Sequence, residues 1–390
     1  MSVKKRTDGT WRARYRDAAG KEHAKHFRRK VDADAWERDQ RAAVDRGTHV
    51  DPAAGRELVR VYGERWRAAQ VQHRPATATK VEVLTRLHIY PVLGDRRMAS
   101  IRRSDVQSLV TSWTTSAKPR SVALRYAYLS AIFNSAVADG VIGKSPCSRI
   151  KLPEITKKAV IPMSVDQVLA IHDAIAEPYR PAILVGAGCG LRISEALGLT
   201  KDEARFLTRD LDIRHQLSAR KPWALVPVKS KNGVRKVPAP QFVLDALSLL
   251  TPGEMLGTLL HRGEAARGEP VGASMLHAAF AAAVAVVNAA AEKRTRDRKA
   301  KRTTEPELPS VPAGTTFHDL RHTYASTLID GGESVTVVAA RLGNDPAETL
   351  ATYSHMWPDS EERTRRIVDA AWSREDHADK LRTSENGEAR

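Results

Sequence analysis

Three short segments carry residue types suited to phosphoryl chemistry. In Gly190-Leu-Arg-Ile-Ser-Glu-Ala-Leu-Gly-Leu199, Arg192 stands at the start of an otherwise apolar helix. The helix dipole favours anions at that end. A cation there suits a bound phosphate shared between the backbone amides and the guanidinium; a buried pair with Glu195 explains it equally well. In His318-Asp-Leu-Arg-His-Thr323, His318 and Arg321 fall at i and i+3, on one helix face. They would set a titratable imidazole beside a permanent cation, although a lone His-x-x-Arg is more often a solvated face. Leu342-Gly-Asn-Asp-Pro346 then leads to Thr352-Tyr-Ser-His355, where Tyr353 offers a hydroxyl. Alone, that tyrosine would pass for core or surface.

One segment imitates a phosphate-binding loop and is set aside. Ala138-Asp-Gly-Val-Ile-Gly-Lys-Ser145 lacks the preceding strand and following helix whose N-terminal amides hold phosphates. It reads as a helix stop.

Charge points to the partner. The chain carries a formal net charge of +17, which attracts polyanions, duplex DNA the densest among them. Residues 1–30 hold eleven Lys/Arg against three Asp/Glu, and a second basic cluster spans Lys293–Arg302. Localised charge of this kind is the footprint of a binding surface. Two cysteines, Cys147 and Cys189, make no metal motif and suit a reducing compartment. No signal peptide and no bilayer-crossing run is read, so a soluble cytoplasmic protein that uses no membrane is expected.

At 390 residues, two or three domains are natural. Trp11, Ala13 and Tyr15 alternate with Arg12, Arg14 and Arg16, a strand period. Asp17–Lys21 supplies a turn and a second strand runs to about Phe27. A helix over about Ala33–Asp45 is expected, with Asp32 as N-cap and Gly47 as stop. Residues 1–52 thus form a small basic sheet-and-helix module. Residues 56–150 read as helices: Leu58, Tyr62 and Trp66 keep one register, and Val81, Leu84, Leu87 and His88 another. Ser104 would cap a short helix, and Ser121–Asp139 forms a longer one with Leu124, Tyr128, Ile132 and Ala136 in stripe. Residues 151–158 are polar and proline-bearing, an extended linker. The third region, 159–372, opens on the capping box Ser164-Val-Asp-Gln167. Strands are expected near Leu211–His215 and Ala224–Val228, with a two-residue hairpin turn at Asn232-Gly233 and a return over Val234–Pro238. Glu292–Pro312 reads as an exposed loop and 373–390 as a polar, mobile tail. The fold class is α+β, mostly helical.

Taken together, the segments at 190–195, 318–322 and around Tyr353 resemble the tyrosine recombinase (phage integrase) family in order and separation. Tyr90-Pro-Val-Leu-Gly-Asp95, Ala131-Ile-Phe-Asn134 and Ser145-Pro-Cys147 resemble its helical core-site-binding domain. The module at 1–52 resembles the arm-site-binding domain of integrases that use two classes of DNA site. The resemblance implies that Arg192 and Arg321 grip the scissile phosphate and that Tyr353 is the nucleophile. It gives His318 the first histidine's place and Glu195 that of a supporting acid. Lys229, ending Val226-Pro-Val-Lys229, matches the lysine that protonates the leaving 5′ oxygen, with Lys231 a nearby rival. Asn344 departs from the family, since Leu-Gly-His is usual there. Asparagine can still donate a hydrogen bond but cannot carry a proton.

The implied chemistry needs no cofactor or metal: guanidiniums supply the positive charge, and a covalent 3′-phosphotyrosine conserves the bond energy. The implied partners are double-stranded DNA at core-type and arm-type sites, three further copies of the chain in a tetramer, and a host DNA-bending protein or an excision factor. Two other readings stand beside recombination: a type IB topoisomerase, which would use the same residues, and a catalytically inactive DNA-binding protein, which Asn344 would favour.

Overall fold

A computed structural model of the protein describes residues 2–17, 20–47, 51, 54–156, 159–263, 266–357 and 361–372. The tail expected at 373–390 and the module's end at 48–50 and 52–53 lie outside them. The chain divides into two compact units, residues 1–157 and 158–390.

The first unit begins with an antiparallel sheet of β1 (Val3–Lys5), β2 (Trp11–Arg16) and β3 (Glu22–Phe27), in that order. The strand period of β2 is borne out: Ala13 and Tyr15 are buried while Arg12 and Arg16 face solvent. Tyr15 and Phe27 pack on Trp36 of α1 (Lys30–Asp45), ring centroids 5.3 and 5.7 Å apart. The helix starts before the expected Asp32 cap. Asp32 lies in its first turn instead, where Arg29 holds its carboxylate at 2.7 and 2.9 Å.

The α-helices α2 (Val59–Ala68), α3 (Pro75–Leu84), α4 (Tyr90–Leu93), α5 (Arg103–Thr114) and α6 (Pro119–Ala138) follow. Their core gathers Tyr62, Leu84, Ile89, Leu129, Ile132 and Phe133. Fully burying such side chains contributes about 1.5–3 kcal/mol each. Leu87, expected in that core, is 51% exposed. Thr85–Ile89 is a wider π-type turn, so the inward face shifts to Thr85 and Ile89. Ser104 does not cap α5; Arg102 precedes the helix and Asp105 accepts its backbone N–H at 2.8 Å. Residues 151–156 are irregular, and 157–158 of the expected linker lie outside the described residues.

The second unit is built around α8 (Arg180–Cys189), packed by α7 (Val165–Ala174), α10 (Gln241–Ser248) and α12 (Phe317–Asp330). The Ser164 capping box forms: its hydroxyl accepts from Gln167 N–H at 3.2 Å, and Gln167 Oε1 accepts from Ser164 N–H at 2.9 Å. Short α9 (Ile193–Gly198) follows α8. Strands β4 (Ala204–Arg205), β5 (Asp210–Ile213) and β8 (Arg235–Pro238) form one antiparallel sheet; β6 (His215–Leu217) and β7 (Leu225–Pro227) form another.

The hairpin expected at Asn232-Gly233 is therefore wrong. β7 pairs with β6, and β8 pairs with β5. Lys231–Gly233 is a single 3-10 turn whose Gly233 N–H is accepted by Ser230 Oγ at 3.2 Å. Glu292–Pro312 also differs from expectation, because Glu292–Lys299 continues α11 (Ala273–Lys299). That helix is long and apolar enough, by length and composition alone, to cross a membrane, which amends the sequence reading. Leu276, Phe280, Ala283 and Val287 bury one face of it in the unit's core, and its last turn carries Arg296, Arg298 and Lys299. The remaining helices are α13 (Val335–Leu342), α14 (Pro346–Tyr353) and α15 (Glu361–Trp372).

Candidate active site

Two left-handed glycines deliver the site. Gly190 ends α8 with φ 65°, and a Cβ there would lie 2.3 Å from Tyr324 Cδ1. Only glycine fits, and the reversal aims Gly190 O and Arg192 at α12. Gly343 ends α13 with φ 64°, and a Cβ there would meet Asn232 O at 2.8 Å. Asp345 caps α14 directly afterwards, accepting from Ala347 N–H at 2.8 Å. Asn344 is thus held in the junction between one helix end and the next helix start. Thr316 and Asp319 form the capping box of α12, with Asp319 Oδ2 accepting from Thr316 N–H at 2.7 Å. This fixes His318 in the first turn and Arg321 one turn on.

Arg321 is 2% exposed and its guanidinium donates to Gly190 O at 2.7 Å, Leu342 O at 2.5 Å and Asn344 Oδ1 at 3.0 Å. Arg192 donates to the same Asn344 Oδ1 at 2.6 Å and to Glu195 Oε1 at 2.8 Å. Asn344 therefore bridges both arginines through its carbonyl oxygen. Among the described residues nothing accepts from its Nδ2, which is left as a donor beside the two guanidiniums. Of the two readings of Arg192 open in the sequence, the pair with Glu195 is present, and the same guanidinium also reaches Asn344.

Arg235 joins the cluster, and sequence reasoning missed it. Buried in β8, it donates to Glu195 Oε2 at 2.8 Å, to Arg341 O at 2.8 Å and to Gly233 O at 3.0 Å. The available signal was a charged residue at an inward strand position, between exposed Val234 and Lys236. Burial pushes the Glu195 carboxyl up, but Arg235 and Arg192 outweigh it and hold its pKa below the usual range. Two guanidiniums, Arg192 and Arg235, share this carboxylate, and Arg321 joins the cluster through Asn344 Oδ1. Burial, with Arg192 and Arg235 adding to it, pushes Arg321 down to about 9, so it stays charged at neutral pH.

Tyr353 ends α14, is 2% exposed, and shares a 2.7 Å hydrogen bond between its Oη and Nδ1 of His322. Burial raises its pKa to about 12, against the opposing pull of Arg321. The tyrosine's partner is therefore His322, and not His318, the histidine that the sequence singles out. His318 is exposed and lies against His322, ring centroids 4.8 Å apart at 83°. Desolvation, then His322 and Arg321, press its pKa to about 4. Tyr324 packs on Gly190 with a pKa raised to about 12 by burial.

Lys229 is exposed just past β7, one residue beyond Val228, whose N–H bonds Arg214 O at 3.2 Å. Lys231, also exposed, opens the turn whose Asn232 carbonyl faces Gly343. Both lysines border the turn against which the Asn344 junction packs.

The site is thus a largely buried arginine cluster beside a shielded tyrosine, carried on a mostly helical fold. The chain belongs to the phage integrase family, which it matches over residues 162–359, and it is a tyrosine-type site-specific DNA recombinase. It is 26% identical over 383 residues to a prophage phiRv2 integrase of Mycobacterium tuberculosis, covering 90% of each chain. It is 25% identical over 248 residues to the tyrosine recombinase XerD of Pseudomonas aeruginosa, covering 61% of this chain and 72% of that one. Its fold is similar to that of the Tn1549 transposon integrase bound to circular intermediate DNA. There the TM-score is 0.64 and the identity 21%, over 80% of this chain and 99% of that one. A lambda integrase dimer bound to a core site matches with TM-score 0.52 and 16% identity, over 92% and 95%.

Proposed function

We propose that this recombinase grips the scissile phosphodiester between Arg192 and Arg321 and attacks it with Tyr353. The observation that carries the reading is the charge of the buried cluster. Arg321 is held by oxygens of neutral groups alone among the described residues, and the cluster's single carboxylate serves Arg192 and Arg235. An uncompensated buried cation is costly, and a phosphate diester removes that cost. The two guanidiniums and the Asn344 amide would then stabilise charge growing on the phosphoryl oxygens.

In the proposed step the Tyr353 Oη–P bond forms and the P–O5′ bond breaks, leaving a 3′-phosphotyrosine and a 5′ hydroxyl. Lys229, or Lys231 beside it, would give the leaving oxygen its proton, and His318 would donate to a phosphoryl oxygen. Rejoining is the same step reversed by another strand's 5′ hydroxyl, so the chemistry asks for neither ATP nor metal. We further read residues 1–52 as an arm-site module, 56–150 as the core-site domain and 159–372 as the catalytic domain, joined by 151–158. A tetramer of the chain would exchange strands between two duplexes, with a DNA-bending protein or excision factor selecting direction.

Replacing Tyr353 by Phe removes one oxygen and keeps the packing volume. DNA affinity should persist while covalent adduct on a nicked substrate disappears. A Tyr353→Phe protein that still forms the adduct would overturn the assignment. Transfer of markers between two plasmids, rather than relaxation of one, separates recombination from topoisomerase action.

A further inference from the structure

The tyrosine hydroxyl is weakly acidic in this site and needs a proton acceptor to become a nucleophile. His318, the histidine singled out in the sequence, does not touch it; His322 does, through the 2.7 Å bond from Nδ1 to Oη. The two rings meet edge-on, centroids 5.6 Å apart at 65°. His322 follows Arg321 directly on α12, so phosphate grip and hydroxyl contact come from adjacent residues of one rigid helix. We infer that His322 is the general base of strand cleavage: Nδ1 takes the Tyr353 proton as Oη bonds to phosphorus, and returns it when the tyrosine leaves during rejoining. This deepens the proposed role of Tyr353 and rests on it.

The electron and proton balance closes. Oη gains phosphorus and loses its proton to Nδ1, and O5′ loses phosphorus and gains a proton from the general acid. The role requires a neutral imidazole with its proton on Nε2, leaving Nδ1 as acceptor. The surroundings favour that form: burial depresses the His322 pKa, Arg321 adds to it, and Asp319 opposes it. The groups facing the ring are His318, Asp319 and Arg321 on its own helix and Tyr353 from α14. Once the proton has moved, Asp319 is placed to offset the imidazolium, while Arg321 is occupied by the transferring phosphate.

The test is single-turnover adduct formation by the full-length protein on a nicked duplex, across about pH 5 to pH 8. Parent, His322→Ala, His322→Gln and Tyr353→Phe are compared, each with DNA affinity measured alongside. His322→Ala and His322→Gln should cleave about 10²–10⁴-fold more slowly, bind DNA like the parent, and lose the acidic limb of the profile. Added imidazole should restore a substantial part of the rate to His322→Ala alone, because glutamine fills the space but moves no proton. Rates within a few-fold of the parent with an unchanged pH profile would overturn the proposal. So would a slow His322→Ala that imidazole does not rescue, since that marks a packing role. If His322→Ala misfolds, the rate and pH profile of His322→Gln decide alone. Adduct in Tyr353→Phe would instead show that the nucleophile, and not merely its base, is misplaced.

Discussion

The arginines of β2 and those around Asn344 are the same side chain put to opposite uses. Arg12, Arg14 and Arg16 alternate outward from a small sheet, and Arg12 and Arg14 lie 3.5 Å from Glu22 in part-exposed pairs. Such pairs are weak and screened by salt, so these guanidiniums are free to exchange a carboxylate for a phosphate anywhere along a duplex. Arg321 and Arg235 are buried, and Arg192 is partly so; each is fixed by two or more oxygens of the fold. On the proposed reading the first set would supply affinity without geometry. The second supplies geometry in advance, at the expense of burying charge.

The comparison breaks first at Arg321. Arg321→Ala should lower the single-turnover cleavage rate by about 10³–10⁵, as loss of a transition-state arginine does elsewhere. Arg321→Lys should rescue little, because one ammonium cannot reach Gly190 O, Leu342 O and Asn344 together. A lysine variant near the parent's rate would mean that charge alone suffices and the fixed fork is irrelevant.

Asn344 sharpens the contrast. Asn344→Ala should slow cleavage by about 10²–10³ through loss of one oxyanion donor. Asn344→Asp should be slower still, since a carboxylate between Arg192 and Arg321 neutralises the cluster before phosphate arrives. Asn344→His, with the donor usual in the family, should match or exceed the parent. Quenched-flow cleavage of a nicked substrate ranks all four proteins; an aspartate variant as fast as the parent would remove the cluster from the site.

The smallest effect belongs to β2. Converting Arg12, Arg14 and Arg16 to Ala should leave the cleavage rate at a core site unchanged. It should flatten the plot of log affinity against log salt by about 0.9 for each phosphate that these arginines neutralise in the parent. Salt titrations of binding to long duplexes measure this, and an unaltered slope would show that β2 does not touch DNA.

Arg192, Arg321 and Tyr353 were legible because the order and separation of their segments resemble a family, and local signals surround them. A glycine stop before Arg192, a capping box before His318 and an Asp-Pro start after Asn344 are all readable within a few residues. What failed was long-range. Asn232-Gly233 is a strong hairpin signal, yet Gly233 does not take the left-handed conformation such a turn needs, and β8 crosses to β5 instead. That crossing carries Arg235 to Glu195, 40 residues away in sequence. His322 was visible in its motif, but its partner lies 31 residues on, and only the packing of α14 beside α12 selects it over His318. Leu87 was misplaced because of a π-type turn, which no periodicity shows.

The central claim is that the shielded Tyr353 becomes the covalent link to DNA, and peptide mapping of the trapped adduct by mass spectrometry tests it most directly. The parent protein should carry the nucleotide on the peptide that spans Tyr353, and the Tyr353→Phe protein on none. A nucleotide attached to Tyr324 or to any other side chain, or an active parent with no covalent species, would contradict the account.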